Sequence, residues 1–278
     1  MPKGDEVRIL LSILTSRAIV NYRYAFQVLQ ETRSPYSTTK ACNSSMMASS
    51  TDGAQLTLYT GPTPNGWKPS IMLEELGLPY HVRRLDFSSK EQKEEWFLKI
   101  NPNGRIPALV DHTAGDLKIF ESGAILWYLG EMYDPEGTLW PKEGKKRTEV
   151  MSWLMFQMGG LGPMQGQASY FLNSAPEQIE YAKNRYLNET DRLYQVLDDH
   201  LKERQWLAAG QYTLADIANF TWVFCHSRIG KTLDDNPHLK AWYERMLARP
   251  AVQKGLDVPT ENAIKKALGL SDNANKRA

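Results

Sequence analysis

Cysteine is nearly absent: the chain has two, Cys42 and Cys225. They lie far apart and match neither a CxxC redox pair nor a zinc-ligand spacing. A disulfide-framed scaffold and a zinc module are therefore excluded, and a reducing, intracellular compartment fits best. Long apolar runs are missing too. The longest near the start, Ile9 to Leu14, falls far short of the ~20 residues that cross a bilayer, and no later run approaches that length, so no membrane span is expected. Charge of one sign is not in excess: 33 basic against 32 acidic side chains leave a formal net charge of +1, which gives no global reason to hold nucleic acid. The five histidines show no metal spacing and no metal is expected; His81 reads as a strand residue and His226 as a helix residue. What is present is 42% apolar and 10% aromatic residues, enough for a substantial core, in a length that suits about two domains of ~150 residues.

Residues 1–53 differ from the rest. A mildly basic apolar stretch, Val7 to Leu29, carries Arg8, Arg17 and Arg23 without acids. It is compatible with an amphipathic organelle-targeting segment, mitochondrial included, although Asp5 and Glu6 spoil its beginning. The Ser/Thr-rich tracts Ser34 to Thr39 and Asn43 to Ser50 pack poorly. The preferred expectation is a dispensable, disordered extension, or a start at Met46 or Met47. No Gln/Asn-rich tract of the aggregation-prone kind is present.

From Gln55 the pattern is regular. Gln55 to Thr60 alternates as a strand and runs into a turn at Gly61 to Gly66; Pro69 to Gly77 reads as a helix. Tyr80 to Phe87 is a strand, Glu91 to Lys99 a short charged helix, Arg105 to Asp111 and Leu117 to Phe120 are strands, and Ser122 to Tyr133 is a helix. The order β-α-β-α-β-β-α is the thioredoxin-like one, a small mixed sheet with helices against it. After Asp134-Pro-Glu-Gly137 strand signals vanish. Lys146 to Phe171, Pro176 to Arg204, a helix starting at Thr213-Leu-Ala-Asp216 and another from Pro237 to Leu247 make the remainder all-α. The expected organisation is an extension over 1–53, an α/β thioredoxin-like domain over 54–133, a linker over 134–142, an all-α domain over 143–260 and a tail over 261–278.

Three places have chemical potential. Ile106-Pro107, a candidate cis bond at a strand edge, would leave the Ile106 amide and carbonyl free to bind an extended peptide backbone; taken alone it is equally a simple edge proline. Glu121-Ser122 sits where strand becomes helix, a place that holds an anion, although Ser122 in isolation reads as an ordinary N-cap. Thr63-Pro-Asn-Gly66 in isolation is turn chemistry. Thr213 and Asp216 form a capping box whose value is foldability. Trp153, Phe156, Tyr170 and Phe171 line either a core or an apolar pocket, and helical spacing favours core.

Together, Thr63-Pro-Asn-Gly66, Asn101-Pro-Asn-Gly-Arg-Ile-Pro107, Phe120-Glu-Ser-Gly-Ala-Ile125 and Thr213-Leu-Ala-Asp216, in this order and at these separations, resemble a cytosolic glutathione S-transferase. Thr-Pro-Asn-Gly and Gly159-Gly-Leu-Gly-Pro-Met-Gln-Gly-Gln167 narrow the resemblance to the bacterial nu-class enzymes and the fungal branch that includes the yeast nitrogen-catabolite regulator. The likeness runs from about Gln55 to Val258. It implies the glutathione transferase fold, with glutathione as co-substrate. The Ile106 backbone beside Pro107 would bind the cysteinyl unit, Glu121 and Ser122 the γ-glutamyl amine and carboxylate; Arg105 would lie along the tripeptide and Gln92 near its glycyl end.

A thiol of pKa ~8.5 is only a few per cent ionised at neutral pH; lowering it by ~2 units takes about 2.7 kcal/mol of preference for the anion. One or two donors at ~1.5–3 kcal/mol each supply that without a general base. The resemblance puts this role on Asn65, with Thr63 assisting. Conjugation to a small electrophile and reduction of a disulfide, in detoxification or in making a thiolated natural product, both remain open, as does a glutathione-binding regulator without catalysis. The family is cytoplasmic and dimeric, which implies a homodimer; Met151, Met155, Gln157 and Met158 are expected to leave apolar area for a partner copy.

Overall fold

The computed structural model describes residues 54–269. The expectations for residues 1–53 and for the end of the tail lie outside the described residues.

Strand β1, Leu56–Thr60, turns Leu56, Leu58 and Thr60 inward, as its alternation requires. It pairs in parallel with β2, Tyr80–Arg84, and antiparallel with β3, Ala108–Asp111, which in turn pairs antiparallel with β4, Leu117–Phe120. The sheet order is β2-β1-β3-β4. The parallel β1–β2 pair needs a crossover, and helix α1, Pro64–Glu75, provides it. The charged stretch expected as one helix is a 3-10 turn, Glu91–Lys93, followed by a single turn of α-helix, α2, Glu95–Leu98. Helix α3, Ser122–Tyr133, has the expected bounds.

The second half is all-helical. The stretch expected as one helix, Lys146 to Phe171, is three segments: α4, Gly144–Phe156; a π-helical segment, Gln157–Leu161; and α5, Gly162–Asn173. Pro163 has no N–H to continue an α ladder, and Gly162 N–H bonds back to the Gln157 carbonyl, the wider π spacing. Helix α6, Glu180–Leu201, is shorter than its pattern suggested. Helix α7, Leu214–Val223, starts at the Thr213–Asp216 capping box, and α8, Pro237–Leu247, has the expected bounds. Two helices went unread: α9, Pro250–Leu256, and α10, Ala263–Ala267, the latter in the stretch expected as a tail. Helix α9 packs on α1 so closely that a Cβ at Gly255 would stand 2.5 Å from the Ile71 Cα, and Ser70 Oγ donates to the Gly255 carbonyl at 2.7 Å. One apolar core, with Leu58, Ile71, Leu126, Leu154, Phe220 and Trp242, runs through both halves.

Candidate functional site

Helix α1 begins at Pro64, not Pro69. Thr63 is extended (φ −138°, ψ 158°) and its Oγ accepts from the Gly66 N–H at 3.1 Å, so the supposed turn is the helix cap. Pro64, with its fixed φ, suits the first helical position. The cap uses one lone pair of the Thr63 hydroxyl and leaves its O–H free to donate. Thr60 Oγ donates to the Gly66 carbonyl at 3.1 Å, drawing the end of β1 against the start of the helix. That approach explains the glycine: a Cβ at Gly66 would stand 2.2 Å from the Gly61 carbonyl oxygen. Asn65, half-buried on this first turn, accepts at Oδ1 from the Trp222 Nε1–H at 3.0 Å.

One turn further along α1 lies a residue that the sequence reading passed over. Lys68 is 0% exposed, and its ammonium donates to Ser122 Oγ at 3.1 Å, to Gln157 Oε1, and to Met158 Sδ at 3.5 Å. Burial pushes its pKa down to about 7 against an opposing pull from the Glu121 carboxylate. The signal was present: Lys68 is the only charged residue between Gly61 and Glu74. Its three acceptors are neutral, so the charge is solvated but not neutralised.

Above it, Glu121 holds the left-handed region (φ 70°, ψ 120°) as the residue before α3, a strained conformation for a side chain with a Cβ. Its carboxylate is exposed while Ser122 is buried. Ser122 Oγ accepts a hydrogen bond from the Lys68 ammonium, and its own O–H points at Met158 Sδ, 3.7 Å away, a weak acceptor readily exchanged for an anion. With the α3 N-terminus and the buried ammonium behind it, this is an electropositive seat beside a carboxylate.

The loop before β3 supplies the other side. Ile106–Pro107 is cis, and the β3 ladder begins at Ala108, so Ile106 lies beyond its end. No backbone hydrogen bond among the described residues takes up the Ile106 amide. Asn101 closes the loop by donating to the Arg105 carbonyl at 2.6 Å, and the Arg105 side chain is exposed. Gln92 backs onto the loop: a Cβ at Gly104 would meet its carbonyl at 2.8 Å. Its amide oxygen is buried without a partner. No hydrogen bond among the described residues joins Gln92 or Arg105 to the Asn65 and Ser122 groups.

The aromatic stripe divides. Trp153 packs on Phe156 and on the His200 ring, and Phe171 stacks on Tyr186, whereas Tyr170 is 47% exposed. The face expected to be left over for a partner also needs correction. Gln157 turns inward to Lys68, whereas Met158, whose sulfur also meets Lys68, lines with Met151, Met155 and Trp127 an apolar hollow of about 250 Å³ beside Glu121.

Family models for the N-terminal and C-terminal domains of glutathione S-transferase match residues 54–131 and 163–250. The disulfide-bond oxidoreductase YfcG of Escherichia coli is 43% identical over 203 residues, covering 72% of this chain and 93% of YfcG. A crystal structure of a glutathione transferase homologue from Lodderomyces elongisporus, with two glutathione molecules per subunit, superposes with a TM-score of 0.71 at 42% identity, covering 73% of this chain and 98% of that one. The structure of the yeast prion protein Ure2p in complex with glutathione gives a TM-score of 0.71 at 36% identity, over 72% of this chain and 97% of that one. The α/β half with its four-stranded mixed sheet and the all-helical half are the two halves of the glutathione transferase fold, and the chain belongs to the glutathione S-transferase family.

Proposed function

We propose that this protein binds glutathione and activates its thiol, for conjugation to a small electrophile or for reduction of a disulfide. The observation that carries the reading is that α1 serves both ends of one site: Thr63 and Asn65 offer uncharged donors at its first turn, and Lys68, one turn on, underlies Ser122. In this reading Ser122 and the α3 N-terminus receive the γ-glutamyl carboxylate, Glu121 the ammonium and Ile106 beside Pro107 the cysteinyl backbone, while Arg105 lies along the tripeptide and Gln92 near its glycyl end. The thiol then falls near Asn65, whose amide N–H, with the Thr63 O–H, stabilises the thiolate. In conjugation the sulfur displaces a leaving group from the electrophile. In reduction it attacks one disulfide sulfur and releases the other as thiolate; the thiolate of a second glutathione then attacks the glutathione sulfur of the mixed disulfide, giving glutathione disulfide and expelling the substrate's remaining sulfur as thiolate. Among the described residues no cysteine is available to either reaction: Cys225 is buried, and its thiol is pushed up to about 12 by that burial.

The domain limits proposed are 54–133 for the glutathione-binding part, 134–142 for the linker and 143–260 for the helical part. No helix among the described residues is long and apolar enough to cross a membrane, and the proposed setting is the cytoplasm. The proposed assembly is a homodimer through the face of Trp127, Met151, Met155 and Met158, to be checked by light scattering of active protein at micromolar concentration. Asn65→Ala is expected to lower kcat ~10²-fold while changing glutathione affinity much less, because the amide contact strengthens as the sulfur becomes anionic. An aryl halide and hydroxyethyl disulfide are the assay substrates. Near-full activity of Asn65→Ala with loss in Thr63→Ala would reverse the two roles; tight glutathione binding with inactivity on both substrates would point to a regulator.

A further inference from the structure

The Gly159–Gln167 segment does more than mark a family branch, because it builds a seat for one side chain. A Cβ at Gly162 would stand 3.3 Å from Cε2 of the Trp222 indole and 2.5 Å from Gln157 Nε2, and one at Gly166 would stand 3.2 Å from the indole Cη2. Gln165, buried between them, donates from Nε2 to the Trp222 carbonyl at 2.8 Å, and its own Oε1 accepts from the Tyr194 hydroxyl at 3.1 Å. Ring and backbone of Trp222 are thus both fixed from α5. The remaining polar atom, Nε1–H, reaches the Asn65 amide at 3.0 Å.

An indole N–H can only donate, so the atom facing it has to be the amide oxygen of Asn65. The NH2 group is then on the far side of the amide, directed away from Trp222. A free asparagine has a second orientation, turned by half a rotation, in which the oxygen would face the sulfur. An oxygen lone pair there repels a thiolate, so the two orientations act on the thiol in opposite directions.

We infer that Trp222 is a positioning residue for thiol activation: seated in the Gly162/Gly166 slot, its indole N–H holds the Asn65 amide with NH2, and not oxygen, toward the sulfur of glutathione. This rests on the reading of Asn65 as the thiolate donor. It also gives the Gly-x-x-x-Gly spacing of α5 a role in the chemistry, since bulkier residues at either position would push the ring off its seat.

The test is the pKa of the bound glutathione thiol, read by ultraviolet thiolate absorbance against pH. It is measured in wild type, Trp222→Phe, Asn65→Ala and the double variant, with melting temperatures alongside. Trp222→Phe is expected to raise the thiol pKa and lower kcat about tenfold with little change in KM for glutathione, and to have no further effect in the Asn65→Ala background. Gly166→Ala, which crowds the ring without touching Asn65, is expected to move the thiol pKa the same way by less, and serves if Trp222→Phe does not fold. An unchanged thiol pKa in Asn65→Ala alone would overturn the donor assignment and this inference with it. A raised pKa in Asn65→Ala but not in Trp222→Phe or Gly166→Ala, or an equal cost of Trp222→Phe in both backgrounds, would overturn the positioning role alone.

Discussion

Among the described residues two charges are wholly buried near the starts of helices, Lys68 in α1 and Asp216 in α7, and they are treated in opposite ways. Asp216 is closed off by donors: the Leu207 N–H at 3.0 Å, the Thr213 N–H at 2.9 Å, the Trp242 Nε1–H at 2.9 Å and the Thr213 hydroxyl at 3.2 Å. It has nothing left to bind. Lys68 is held by a hydroxyl, an amide oxygen and a thioether, and the carboxylate that stabilises its charge belongs to exposed Glu121. A charge surrounded on all sides locks a fold, whereas one met only by neutral acceptors retains a field that an incoming anion can answer.

Breaking Asp216 should have the largest effect on stability. Asp216→Ala leaves three buried N–H groups without their acceptor and is expected to cost about 3–5 kcal/mol in urea unfolding. Glutathione affinity of the fraction that stays folded should change little. If Asp216→Ala instead weakens glutathione binding at unchanged stability, the division between the two centres is wrong.

Lys68→Met should do the reverse, weakening glutathione binding ~10–100-fold by calorimetry with a melting temperature at neutral pH equal to or above wild type. A large loss of stability would mean that Lys68 is a lock like Asp216.

A smaller effect follows from titration. Lys68 has its pKa lowered from 10.5 to about 7 on folding, so between those values the unfolded chain holds a proton that the folded one has lost, and stability should rise with pH across that window. The same loss of charge should make the affinity for S-methylglutathione, which has no thiol to titrate, fall above about pH 7. Urea titrations at several pH values check the first and calorimetry the second, and both slopes should be absent in Lys68→Met.

The smallest expected change is in Glu121→Gly, which relieves the left-handed conformation and should raise stability by about 1 kcal/mol while raising KM for glutathione. A fall in stability would show that the Glu121 carboxylate supports Lys68 more than its backbone strains α3.

How much of this was legible depended on whether the signal was local. β1 and β4 could be read from their patterns, and α3 and α8 to the residue, because apolar spacing and flanking breakers lie within each element. Thr63-Pro-Asn-Gly66 misled because a capped helix start and a tight turn use the same residues; only the bond from Gly66 N–H to Thr63 Oγ decides between them. Helix α9 depends on Gly255 meeting Ile71, and Lys68 on Ser122 and Gln157, contacts no local pattern encodes. The partner of Asn65 is 157 residues away.

The π segment Gln157–Leu161 has a consequence for how this chain tolerates insertions and deletions. A uniform α-helix turns about 100° per residue, so one residue more or fewer here would rotate everything downstream by roughly that angle. Gly162, Gln165 and Gly166 would sweep off Trp222 relative to Gln157 and Met158, which meet Lys68 from the start of the segment. Single-residue length changes in this short stretch should therefore be far less tolerated than multiple substitutions on exposed positions of the same helices. The segment acts as a phase shifter between a face that meets Lys68 and a face that holds Trp222.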